Sequence, residues 1–543
     1  MMQQPFDPLL QKYPSQRFPV YASGGMVCCS APMASAAGLE ALRAGGNAFD
    51  AAAAAAAALT VVEPTDNGLG ADAFAIAWSA KDRRLYGLNS SGPSPMGISA
   101  EAILTAGRND HGKMPALGWT PVTVPGAVKA WKELTNRFGK RSLQENLAPA
   151  VHYARDGYAL SANIASNWQN ALKIYRKTLQ EPCFDAWFDT FTINGEAPKA
   201  GDLVRLPDHA DTLELIGKTD SDAFYHGELA DRIDAESRKW GGFLRKSDLE
   251  AYEAEWVEPI RVSYRGYEVC EIPPNGQGIV ALMALNILKA FEFDDPDSVL
   301  TKHRQIEALK IAFADALHYV TDPRDMSIDY HRLLDPAYGD RRAAEIGEKA
   351  HIYTYETPPK SGTVYLAAAD SEGNLVSYIQ SNYMGFGSCI VIPGTGIGLQ
   401  NRGADFSLNP ADANYIRPGK RSYHTIIPAF LMKHGKPVGP FGVMGGYMQP
   451  QGHVQVAMNT IDFGMNPQQA LDAPRFQWMR AGDVTVEPRF DPALMQALSR
   501  LGHDIRLDQN VGSFGRGQMI VRLESGVLIG GTESRTDSNI ACF

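Results

Sequence analysis

The sequence predicts an α+β layered domain, not a parallel nucleotide-binding sheet. Strand-like runs are grouped between helical groups and do not alternate with them one for one. No complete G-x-G-x-x-G stands at a strand-to-helix junction. With 543 residues, 44% of them hydrophobic, the chain has enough apolar surface for a sizeable core.

Taken in order, Ser35 to Leu59 reads as helix, interrupted at Gly45-Gly46-Asn47 by a C-cap followed by a new start. Ala51 to Val62 opens with eight alanines; twelve residues are too few to span a bilayer, so the run reads as a tightly packed core helix. Glu63 to Gly70 is a turn-rich loop, and Ala73 to Trp78 an apolar strand. From about Ser161 to Phe313 helical segments alternate with loops. Thr354 to Gly362 is polar, proline-bearing and aperiodic, the best linker candidate in the chain.

Beyond the linker the texture changes. Thr363 to Ala369 and Leu375 to Ser381 read as two strands around the turn Asp370 to Asn374. If Asp370 pairs with Leu375, Thr363 lies opposite Asn382; a turn one residue different puts Ser381 or Tyr383 there instead. Further strands are expected at Ile426 to Met432, Val438 to Met444, Val484 to Val486 and Gln518 to Leu523. Helices are expected at Gln451 to Ile461, Pro467 to Ala473 and Pro492 to Leu501.

A net charge of −10 without a clustered basic surface argues against nucleic-acid partners. Met1 to Val20 lacks the basic start and apolar run of a signal peptide, and no stretch suits a membrane span. Six scattered cysteines form no C-x-x-C and have no zinc-finger histidine spacing, so they read as free thiols in a reducing compartment. The expectation is a cytoplasmic protein without metal or cofactor.

The linker-to-strand junction carries the chemistry. A threonine hydroxyl is a weak nucleophile unless a base adjoins it. A cut immediately before Thr363 would supply one, an α-amino group of pKa about 8. Gly362 suits such a cut, since a residue without Cβ leaves the peptide open to attack and tolerates strained backbone. The competing reading is an ordinary β-branched strand start.

Several segments together resemble the gamma-glutamyltranspeptidases, of the N-terminal nucleophile hydrolase superfamily. They are Gly45-Gly46-Asn47-Ala48-Phe49-Asp50-Ala51-Ala52, Gly68-Leu69-Gly70 with Phe74, Thr123-Val124-Pro125-Gly126, Phe224 to Glu228, and Pro273 to Gly278. Thr363 with Asp370, Gly373-Asn374 and Val376 matches the start of the family's small subunit. The resemblance implies a precursor that cuts itself at Gly362–Thr363. The products would be a large subunit, 1–362, and a small subunit, 363–543, sharing one four-layer αββα sandwich. It also leaves room for a homodimer of such heterodimers.

By resemblance, Thr363 would attack a small-molecule amide, with Ser381 as the family's second hydroxyl and Gly445-Gly446 as its oxyanion loop. Asp405 matches the aspartate that holds a substrate α-amino group. Around it the pattern departs. Arg402 stands where the family has an acid or amide, Tyr383 replaces an asparagine, and His424-Thr425 replace a serine pair. The arginine that grips the γ-glutamyl carboxylate has no counterpart in Asn89 to Pro95. The implied activity is γ-glutamyl transfer or hydrolysis, with glutathione the usual substrate. The alternatives are hydrolysis of another amide, such as oxamate or an acylated β-lactam nucleus, and an uncut binding protein. Arg402 is expected either to supply the missing carboxylate contact or to form a structural salt bridge with Asp405.

Overall fold

The computed structural model describes residues 16–356 and 362–543, with backbone alone for 353–356. Most of the Met1 to Val20 stretch, and 357–361 of the linker, lie outside the described residues.

Two seven-stranded sheets, antiparallel at every pairing, form the centre. The first runs Asn539–Cys542, Gly25–Cys29, Gly362–Asp370, Leu375–Tyr383, Asp72–Ser79, Arg84–Ser90, Glu255–Val257. The second runs Val20–Ala22, Leu528–Thr532, Arg516–Arg522, Lys436–Met444, Ala429–Lys433, Tyr267–Glu271, Ile260–Tyr264. The strand beginning at Gly362 thus lies third from one edge and is covered on both faces. All nine of its residues are buried, which is why its sequence shows no polar alternation.

Side-chain parity along that strand sorts the core into layers. Tyr365, Ala367 and Ala369 point to the second sheet and meet Cys270, Phe430, Met444 and Ile520. Val364, Leu366 and Ala368 point outward, to the helices Pro32–Arg43 and Ala48–Val62. On the far side, Val269, Leu431, Phe441 and Val443 pack against Gly278–Leu288, Val299–Tyr319 and Met448–Ile461. Helix, sheet, sheet, helix is the αββα stack implied by the resemblance.

The alanine run belongs to Ala48–Val62, in which all fifteen residues are buried. Side chains no larger than a methyl let this helix lie close on the sheet. Asn47 and Asp50 cap its start reciprocally. The Ala48 amide donates to Asp370 Oδ2 at 2.9 Å, tying the positive helix end to the carboxylate that closes the Thr363 strand. All six cysteines are free, and no helix among the described residues is long and apolar enough to cross a membrane.

Some expectations need correction. The helix-and-loop region contains the strands Glu255–Val257, Ile260–Tyr264 and Tyr267–Glu271. The first part of the linker, Tyr353–Glu356, is a strand pairing with Phe476–Ala481, so the polar stretch is partly recruited into a sheet. Ile426 to Pro428 precede their strand, which is Ala429–Lys433; Pro428 has no N–H to give to a ladder. The hairpin pairs Ala369, not Asp370, with Leu375, because Asp370 turns its carboxylate back onto Asn374.

A buried ionic knot braces one end of the sandwich. Glu533 accepts from Arg535 Nη1 at 2.7 Å, Arg475 Nη2 at 3.1 Å and the Gly517 amide at 2.8 Å. Burial pushes its carboxyl pKa up, but the two guanidiniums and the amide outweigh burial and bring it to about 2. Removing the charge would leave buried Arg475 without its carboxylate, while Arg535 keeps Glu487, so Glu533→Ala should cost about 3–5 kcal/mol in a denaturant melt. A folded pKa below the unfolded value of about 4.3 gives stability that is present above that pH. It is lost as pH falls towards 2. The variant should therefore show a flatter acid limb of stability than the parent; an unchanged limb would assign acid unfolding to other groups.

Candidate active site

Two hydroxyls converge on the bond between Gly362 and Thr363. Thr363 Oγ1 donates to the Gly362 carbonyl oxygen at 2.7 Å, and Ser381 Oγ reaches the same oxygen at 2.6 Å. The hydroxyls stand 3.1 Å apart. The Tyr383 amide donates to Ser381 Oγ at 2.8 Å and fixes that rotamer. The hairpin register, with Ala369 opposite Leu375 and Val364 opposite Gln380, carries Thr363 to Ser381, and a bulge then shifts pairing by one residue so that Gly362 lies opposite Tyr383. Of the three registers open in the sequence, the one with Ser381 beside Thr363 is realised.

Gly362 is required for space, not for an unusual backbone. A Cβ there would stand 2.5 Å from Asp66 Oδ1 and 3.0 Å from the Gly385 amide. Asp66 in turn bonds Arg516 Nη1 at 3.2 Å, and Arg516 also holds Glu63 at 3.1 Å. Burial first, then the neighbouring Asp66 charge, raises the Glu63 carboxyl well above the carboxylate range.

Arg516 pairs across the second sheet with Met444, the residue before Gly445-Gly446. The glycine pair turns with φ of 129° and 61°, directly ahead of the helix Met448–Ile461. No turn or loop carbonyl among the described residues accepts from either amide. Gln277 Nε2 grips the Gly446 carbonyl at 2.8 Å, and Arg475 holds the Phe514 and Gly515 carbonyls behind Gly445. The loop is therefore braced on both sides with its amides left over, which is what an oxyanion site needs. Helix packing also starts earlier than the expected Gln451, and Gly446 is buried.

The expected substrate residues form one buried cluster. Arg402 stacks over the Tyr383 ring, 4.1 Å from its centroid. Its Nη1 donates to Thr425 Oγ1 at 2.8 Å and faces Asp405 Oδ2 at 3.4 Å, so the structural salt bridge exists. Its Nε and Nη2 have no hydrogen-bond partner. Asp405 Oδ1 accepts from Tyr383 Oη at 2.6 Å and from Tyr447 Oη at 3.5 Å. Burial lifts the Asp405 carboxyl to about 6, against the pull of Arg402 and the hydroxyls. Tyr383 holds φ of 77°, an unusual conformation for a bulky residue that costs about 1–3 kcal/mol and marks a constrained site.

His424 enters as a partner of a residue that sequence reasoning missed. Its Nε2 bonds Asp72 Oδ2 at 3.0 Å while Nδ1 accepts the Ile426 amide at 3.4 Å, so Nε2 carries the proton. Burial, with Arg402 and Arg421 nearby, drives its pKa well down and keeps it neutral. Asp72, lifted by burial to about 7, also lies 3.8 Å from Arg402 Nε. Tyr423 and Tyr447, stacked at 5.9 Å, are likewise new to the site. With Tyr383 and Asp405 they line a cavity of about 1140 Å³, to which Met114, Leu317, Leu408 and Met479 also contribute. Asp72 is visible in the sequence only as the start of an apolar strand, and the tyrosines only as aromatic residues in glycine-rich loops.

An αββα stack with a hydroxyl-bearing residue inside a central strand, at a junction between linker and strand, is the fold of the N-terminal nucleophile hydrolases. The structure superposes on a crystal structure of a cephalosporin acylase from Bacillus halodurans with a TM-score of 0.96 and 54% identity, over 99% of each chain. A glutathione hydrolase-like YwrD proenzyme of Bacillus subtilis is 37% identical, over 93% of this chain and 96% of its own. An oxamate amidohydrolase proenzyme of Klebsiella pneumoniae is 33% identical, over 96% and 98%. Residues 34–543 match the gamma-glutamyltranspeptidase family, and the chain belongs to it. It is an enzyme of that family's hydrolase and acylase kind.

Proposed function

We propose that the chain is a self-cleaving threonine amidohydrolase, cut between Gly362 and Thr363 into 362- and 181-residue subunits. The observation that carries this is the convergence of Thr363 Oγ1 and Ser381 Oγ on the Gly362 carbonyl oxygen. Attack of Oγ1 on the Gly362 carbonyl carbon moves the acyl group from nitrogen to oxygen. Water then splits the ester, leaving the Gly362 carboxylate and a free Thr363 amine. In turnover that amine takes the Oγ1 proton as the hydroxyl adds to a substrate amide carbonyl, and returns it to the departing amine. The Gly445 and Gly446 amides stabilise the oxyanion, and water or an acceptor amine releases the acyl group.

The acyl group is the finer question. Asp405 favours γ-glutamyl, as the family resemblance implies. Asn89 to Pro95 provide no arginine for its carboxylate, and Asp405 is occupied by Tyr383 and Arg402, which favours an amide other than γ-glutamyl. The cavity of about 1140 Å³ suits a bulky leaving group better than ammonia. Two relatives named for non-glutamyl substrates point the same way. A denaturing gel combined with a panel of anilides tests this reading. Two bands and a pre-steady-state burst are expected, whereas one band without turnover would leave an uncut binding protein.

A further inference from the structure

We infer that Gln277 is the positioning residue of the oxyanion loop: it sets Gly445-Gly446 for turnover, and self-cleavage does not require it. This rests on the amidohydrolase reading and divides the groups that serve maturation from those that serve turnover.

Pro273 to Gly278 connects the strand Tyr267–Glu271 to the helix Gly278–Leu288. Gln277 is 0% exposed, and a buried side-chain amide must have both its donors and its acceptor matched. Here they are. Nε2 donates to the Thr425 carbonyl at 2.6 Å and to the Gly446 carbonyl at 2.8 Å, and Oε1 accepts from Tyr423 Oη at 3.2 Å. The Gln277 backbone amide donates to the His424 carbonyl at 2.9 Å. Asn275 seats the same segment, with Nδ2 on the Ser422 carbonyl at 2.8 Å and its own carbonyl accepting the His424 amide at 2.9 Å. One side chain, itself held in place, therefore ties the substrate cluster to the second glycine of the loop.

The loop needs such a tie. Two glycines have no side chains to fix their peptide planes, and φ of 129° and 61° leaves them free to rotate. The Gly445 carbonyl accepts from the Met448 amide at 3.1 Å. In a trans peptide N–H and C=O point in opposite directions, so this contact turns the Gly446 amide away from the helix. The Gly446 carbonyl accepts from the Gln449 amide at 3.1 Å as well as from Gln277. Met448 and Gln449 belong to the first turn of the helix that the loop itself begins, and move with it. Among the described residues, Gln277 is the one donor to these two carbonyls from outside that unit.

The scissile carbonyl is served by other groups. The Gly362 oxygen accepts from Thr363 Oγ1 and Ser381 Oγ, and neither glycine amide is among its donors. Maturation thus draws on two strand hydroxyls, and turnover on the glycine amides. Gln277 lies within 1–362 and Gly446 within 363–543, so after the cut the loop is braced by the other subunit.

The test uses Gln277→Met, of the same length without polar atoms, and Gln277→Glu, of the same shape without N–H donors. Each should be cut into two bands at the parent rate. Anilide kcat should fall by about 10- to 100-fold, with KM within about twofold of the parent. Added to Gly446→Ala, Gln277→Met should cost little more, because both act through one amide; the double variant should lose no more than the roughly 10²-fold of Gly446→Ala alone. Losses that multiply, an unchanged kcat, a loss carried by KM, or self-cleavage slowed as much as turnover would each overturn the inference. If thermal melts show one variant unfolded, the other decides. If both are unfolded, Gln277 belongs to the framework and the inference fails. A parent chain that stays uncut and inactive overturns the amidohydrolase reading and this inference with it. A parent that is cut and active, beside variants with any of the contrary results, overturns this inference alone.

Discussion

Thr363→Ala is expected to give a single chain of 543 residues with no measurable amide turnover. The substitution removes the one hydroxyl that lies on the Gly362 carbonyl and belongs to the residue after the scissile bond. Ser381 Oγ remains on the same oxygen, where it donates to the carbonyl and polarises it, and it leaves residue 363 without the hydroxyl that turnover needs. Loss of a nucleophile costs at least about 10⁴-fold in kcat where binding and oxyanion contacts survive. Thr363→Ser keeps the hydroxyl and should still be cut, more slowly. The methyl of Thr363 is buried in the strand, and serine leaves the hydroxyl freer to rotate away. A denaturing gel over time, with anilide rates on the same samples, measures both effects. Cleavage of Thr363→Ala at the normal rate would move the nucleophile elsewhere.

Gly446→Ala should lower kcat by about 10² while KM changes little, since the amide it disturbs acts on the oxyanion. With φ of 61°, alanine is strained there, and the loop answers by rotating its amides off the carbonyl. A valine at either glycine is a poorer test. The loop is not exposed, and a Cβ on Gly445 would come within 3.2 Å of the Gly515 Cα. Thermal melts of the two-subunit form separate the effects. A folded Gly446→Ala variant with unchanged kcat would place the oxyanion donors in another loop.

Much of the fold can be read along the chain wherever structure is local. The hairpin around Asp370 to Asn374, the alanine helix and the helix beyond Gly445-Gly446 all announce themselves by caps, turns and runs. The strands Ile260–Tyr264 and Tyr267–Glu271 escape a sequence reading although the first alternates buried and exposed residues, because surrounding helices and charges mask five-residue elements. The site divides in the same way. Thr363, Ser381 and the glycine pair are picked out by the resemblance to the family's small subunit. What Gly362 needs is set by Asp66, distant in sequence, which no local pattern reveals. Arg402 is legible as an anomaly. That half of its guanidinium is occupied and half free depends on Thr425, Asp405 and Asp72 meeting in space.

The central claim is that Thr363 becomes an N-terminal residue, and N-terminal sequencing of the purified protein's smaller fragment tests it most directly. The account predicts Thr-Val-Tyr-Leu, with an intact mass equal to residues 363–543. A fragment starting at Ser361, Val364 or any other residue, or a chain that yields no fragment, would leave Thr363 without the amine that makes it a nucleophile and contradict the mechanism.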